Sequence, residues 1–205
     1  MKKIFLILLL FFVVDVSGQT LEHKRGFVSL HYGRYGVLSK SFTKYYETRF
    51  GYYFGGSLGI PLTEKVSLFG KLSYFQKEGI PIYEPTGLRE GSAILKEGLI
   101  NAGIQIKFYR SKIIDFIFSS GLTFALIDEE RFAPTGGFTY ETEGNGDLGI
   151  FIGGAIEINL GKSPFALVNE INYIYSWNPV LEYEKSYQAL NYSASLRFYF
   201  GGNDE

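Results

Sequence analysis

Cysteine is absent from this chain, and histidine, methionine and tryptophan together contribute four residues. No disulfide can staple the fold, and no lipid-modified cysteine can follow a leader, so a conventional lipoprotein is excluded. His23 and His31 are the only imidazoles, which leaves little material for acid–base chemistry near neutral pH. A basic excess is missing as well, and with it the electrostatic footprint of a nucleic-acid binder. No cofactor motif, internal repeat or second domain stands out, as expected of 205 residues that suit one domain. Long apolar runs are missing after the first, so a helical membrane protein is excluded by length.

That first run covers Ile4 to Val14 behind Lys2 and Lys3. Its 11 apolar residues fall short of the roughly 20 a spanning helix needs, and Val16-Ser17-Gly18 offers small residues for cleavage before Gln19. Residues 1–18 are therefore expected to be a signal peptide, and residues 19–205 the mature domain. Its removal takes away two Lys and one Asp and leaves 18 basic against 20 acidic side chains.

What is present is aromatic residue, glycine and alternation. Sixteen Tyr, nineteen Phe and twenty-five Gly make a strand-rich composition. From Leu148 to Leu160 the even positions are Leu148, Ile150, Ile152, Gly154, Ile156, Ile158 and Leu160, with Gly149, Gly153, Ala155, Glu157 and Asn159 between them. This is a period-two strand with one apolar face. The pattern recurs at Leu190 to Phe200, at Phe116 to Phe124 and at Phe50 to Ile60. Eight strands are predicted, near 26–35, 49–60, 66–77, 98–109, 114–127, 147–160, 165–177 and 188–200.

Connections alternate in length. Short turns are expected at Pro61–Lys65, Arg110–Ile113 and Gly161–Pro164, and long polar ones at Gly36–Thr48, Glu78–Lys96, Asp128–Gly146 and Asn178–Tyr187. An eight-stranded antiparallel up-and-down transmembrane β-barrel needs this asymmetry, with tight periplasmic turns and longer outer loops. Lipid rewards an apolar exterior, and closure leaves no strand edge. Phe108, Tyr109, Phe116, Phe165, Phe198 and Phe200 fall near one end, and Tyr32, Tyr52, Tyr74, Tyr175 and Trp177 near the other, as two aromatic girdles. A soluble sandwich or lipocalin-like binder would also alternate, with its apolar face turned inward.

The terminal segment Leu190 to Phe200, alternating and closed by an aromatic, resembles the small eight-stranded outer-membrane β-barrel proteins, including those of the Bacteroidota. The context Ser17-Gly18-Gln19 is similar to leaders of that phylum. The resemblance is architectural and covers the mature chain. Gly201 to Glu205 follow the last aromatic, a departure from the simplest form of the signal. It implies an outer-membrane location, insertion by the barrel-assembly machinery, and contact with outer-membrane lipid and lipopolysaccharide. Such proteins serve as anchors, adhesins, secretion accessories, lipid-A enzymes or narrow channels, so architecture alone selects no function.

Parity points Lys71, Lys107, Glu157, Glu170 and Arg197 into the lumen, toward its periplasmic half, where cations can neutralise costly buried carboxylates in one network. Eight strands leave an interior that side chains just fill, which argues against a wide pore. The expected function is non-enzymatic: envelope integrity, adhesion or assembly with an envelope protein through the loops. The alternative is a narrow channel or transporter for ions or small solutes. A lipid-modifying enzyme would need a serine activated by histidine, and only Ser29 beside His31 offers the pair. Lys40, Lys44, Tyr45 and Tyr46 in the first long loop, and Trp177 and Tyr183 in the last, are candidate contact residues. Asp128-Glu129-Glu130, Glu141, Glu143 and Asp147 match no EF-hand spacing and are expected to be solvated loop charge, with no metal or cofactor held.

Overall fold

The computed structural model describes residues 26–39, 42–83, 86–134, 138–161, 163–177 and 187–201. The leader, His23, Lys40 and Tyr183 lie outside them. Eight antiparallel strands close into a barrel: β1 (Gly26–Val37), β2 (Phe50–Pro61), β3 (Val66–Gly79), β4 (Ser92–Arg110), β5 (Ile114–Phe132), β6 (Phe138–Asn159), β7 (Phe165–Ser176) and β8 (Tyr187–Phe200). Each strand pairs with its sequence neighbour, and β1 closes on β8 from Gly26↔Phe200 to Val37↔Ala189. Every ladder therefore has a partner on both sides, which a membrane demands of a strand. Besides the barrel, the described residues form one short helix, α1 (Phe42–Tyr46), and a two-residue ribbon, Ile82–Tyr83 with Leu88–Arg89.

The parity expected from the sequence holds along the wall. Leu30, Tyr32, Phe54, Leu68, Ile104, Leu122, Ile152, Ile171 and Leu196 are exposed, while Ser29, His31, Lys71, Asn101, Thr123, Glu157, Asn172, Ser193 and Arg197 are buried. The molecule is inverted relative to a soluble fold, which rules out the inward-facing apolar sandwich. Tight turns of three to five residues, at 62–65, 111–113 and 160–164, join the strands at one end.

At the other end the sequence reading needs correction. Much of the two connections expected at Glu78–Lys96 and Asp128–Gly146 is strand: β4 begins at Ser92, β5 runs to Phe132 and β6 starts at Phe138. Leu95 faces Glu129, and Glu130 faces Glu141, beyond the apolar band. Apolar alternation ends where lipid ends, but the backbone ladder has no reason to stop there. The result is a ribbon of β4, β5 and β6 that stands above the band.

Candidate functional site

The interior is built in tiers from the inward-facing positions. Nearest the tight turns, Glu157 is fully buried and accepts from Lys107 Nζ (2.5 Å), Arg197 Nη1 (2.7 Å) and the Tyr199 hydroxyl (2.6 Å). Lys107 also donates to Asp115 (2.9 Å), and the Arg197 guanidinium lies 3.8 Å from the Phe27 ring centre. A cavity of about 780 Å³ opens beneath, between these side chains and the turns. Lys107, on its wall, is partly exposed, whereas Glu157, Asp115 and Arg197 are buried.

Higher up, Lys71 donates to Glu170 (3.0 Å) across the lumen from β3 to β7. Asn172 donates to both Glu170 and Asn191, Thr123 donates to Asn101, and His31 Nε2 lies 3.0 Å from Ser73 Oγ, which donates onward to the Tyr53 hydroxyl. The five lumen residues anticipated from parity thus fall into two hydrogen-bonded clusters at different heights, coupled only through the longer-range attraction of Arg197 and Glu170. Arg197 serves Glu157, while Glu170 is served by Lys71. The reason is register: Glu157 sits opposite Val168, two residues from Glu170, so the two carboxylates occupy successive levels.

Toward the long loops the filling becomes aromatic and apolar. Glu97, fully buried, accepts from Tyr35 (3.0 Å) and Tyr187 (2.6 Å) among Leu95, Leu99 and Ile127. Above it α1 turns inward. Phe42 and Tyr46 stack at 4.4 Å, both fully buried, and the Tyr46 hydroxyl donates to Glu129 (2.6 Å). Arg131 grips the same carboxylate through Nε and Nη2 and lies 3.9 Å from the Tyr45 ring centre. Gly79 makes this possible, because a Cβ there would come within 2.6 Å of Tyr46 Cα. Arg89 tethers the helix from outside by donating to the Thr43 carbonyl.

Several expectations change here. Tyr46 is no surface contact: its ring fills the mouth, since an aromatic next to an open barrel end gains more from burial than from water. Tyr45 is half-buried under Arg131, whereas Lys44 and Trp177 are exposed. Glu129 and Asp147, expected as solvated loop charge, are buried, because β5 and β6 carry them inward on extended strands. Ser29 bonds Ser57, not His31, and among the described residues the Ser–His contact is that of Ser73 inside the filled lumen. Glu97, Asp115, Arg131 and Tyr199 were missed, and Glu129 was placed in a loop. Parity alone would have found Asp115, which lies in a strand already recognised; Glu97, Glu129 and Arg131 required the true strand lengths.

This is the architecture of a closed eight-stranded barrel of the outer-membrane type. No protein-family model matches the sequence, and no curated protein matches it significantly. Among solved structures, the fold is similar to Neisserial surface protein A, with 12% identity, a TM-score of 0.58, and 85% of this chain and 97% of that one covered. It is also similar to Ail, the attachment invasion locus protein of Yersinia pestis, solved in complex with the heparin analogue sucrose octasulfate (11% identity, TM-score 0.54, 86% and 99% covered). The outer membrane protein OprG from Pseudomonas aeruginosa matches at 8% identity and a TM-score of 0.53, over 88% and 99%.

Proposed function

We propose that this is a non-conducting, non-enzymatic barrel of a bacterial outer membrane, acting in envelope integrity, adhesion or assembly through the surface it presents above the lipid. The observation that carries this reading is the lumen: ionic at one end, polar in the middle, tyrosine-lined and then capped by α1 at the other. A conducting path through eight strands would need a continuous wet gap, and interlocked side chains occupy the section instead. The apolar exterior and aromatic ends favour the membrane location. The ribbon of β4 to β6 and the exposed Lys44, Arg89 and Trp177 supply the outward surface. That Ail has been crystallised with a sulfated sugar makes polyanionic surface glycans a reasonable first class of partner to test.

Planar-bilayer recording tests the closed lumen. The purified protein is expected to give no discrete conductance steps, and stepwise openings whose size changes in Arg197→Ala would overturn the reading in favour of a narrow channel.

A further inference from the structure

Outside the lumen, one arginine is placed where lipid headgroups would lie. Arg34 is the last charged outward-facing residue of β1, exposed, two positions above Tyr32. Its guanidinium lies 4.3 Å from the ring centre of Tyr52, its register partner on β2, and Tyr52 in turn stacks on Tyr32 with ring centres 5.9 Å apart. On the other side its register partner is Tyr192 of β8. All three tyrosines are more than half exposed, so the cation rests on the Tyr52 face within the girdle.

Among the described residues Arg34 meets no carboxylate and no hydrogen-bond acceptor. None of the neighbouring charges contacts it, and Lys77 lies within electrostatic reach of both Arg34 and Glu47. Lys77 donates to Thr48 Oγ1 and the Phe50 carbonyl, and Glu78 accepts from Gln76. Glu47 lies exposed in the loop. Five guanidinium donors in a fixed plane, left without acceptors at an interface, match a phosphate. Below Arg34 the wall is apolar and shallow: Leu30 is the most exposed large apolar side chain among the described residues, and Gly56, between Leu30 and Leu72 in register, adds no side chain of its own.

We infer that the outer face of β1–β2 binds a phosphate-bearing lipid of the outer leaflet, with the phosphate on Arg34 over Tyr52 and an acyl chain along Leu30 and Gly56. This rests on the outer-membrane reading and specifies which lipid chemistry that surface selects. The aromatic platform fixes the guanidinium plane, so the ion pair forms without ordering a free side chain.

The test is native mass spectrometry of the full mature protein released from bilayer nanodiscs of neutral lipid doped with bisphosphorylated lipid A, or with the same lipid dephosphorylated. The wild type is expected to retain the phosphorylated lipid preferentially. Arg34→Gln is expected to lower that retention roughly fivefold, in line with one interfacial cation, and Tyr52→Leu to lower it by less. Arg110→Gln, an exposed cation at the opposite end, is expected to change nothing. Equal retention by wild type and Arg34→Gln, or no preference for the phosphorylated lipid, overturns the inference while the inserted barrel stands. A wild type that fails to enter either bilayer removes both this inference and the membrane reading.

Discussion

A single buried side chain shows the energetic logic of the lumen. Glu170 accepts two hydrogen bonds, one from Lys71 and one from Asn172, and lies away from water. Replacing it with Leu strands the Lys71 ammonium in a closed space, which costs about 3–5 kcal/mol, whereas replacing both partners with apolar residues can be nearly neutral. Urea unfolding in lipid vesicles is therefore expected to place Glu170→Leu about 3–5 kcal/mol below the wild type. Lys71→Met combined with Glu170→Leu should recover most of that loss. A double variant as unstable as the single one would show that the pair itself, not the orphaned cation, carries the stability.

Among the elements, α1 is the one that decides whether the mouth is open. Five residues are too few to be a stable helix alone, so its position depends on Phe42, Tyr46 and the grip of Glu129 and Arg131. Tyr46→Ala removes a fully buried ring and the hydrogen bond to Glu129, a loss of about 3 kcal/mol that raises the locally open fraction roughly 100-fold. Limited trypsinolysis of the protein in lipid should then cut after Lys44 much faster than in the wild type, with the barrel strands still protected. Unchanged cleavage would mean that Arg89 and the Gly79 approach hold the helix without Tyr46.

For the whole molecule, closure is the property on which everything else depends. Between β4 and β5, Gly103 faces Gly121, and a Cβ on Gly121 would lie 2.5 Å from Gly103 Cα. Gly154, on the outer face of β6, has its nearest neighbour at 3.9 Å. Gel mobility with and without boiling reads closure directly: the wild type and Gly154→Ala are expected to migrate differently before and after heating, and Gly121→Val to lose the shift. A Gly121→Val protein that still shifts would mean the strands can separate there without opening the barrel.

The alternation of Leu148 to Leu160, repeated eight times with short turns at 61–65, 110–113 and 161–164, determined strand number, pairing order and which face is apolar, because period two and turn length are local properties of the chain. It also turned Lys71, Lys107, Glu157, Glu170 and Arg197 inward. Partner choice among them was not local: which carboxylate meets which cation depends on the stagger of strands as far apart as the 99 residues between Lys71 and Glu170, and only closure sets that. The extent of β4 to β6 above the lipid was hidden for a different reason, since polar strand and polar loop share a composition. Tyr46 was hidden for a third, because an aromatic in a loop reads as a surface contact until the mouth it fills has been formed by eight other segments. Arg34 was equally silent: its neighbours Tyr52 and Tyr192 come beside it only when β1 lies between β2 and β8.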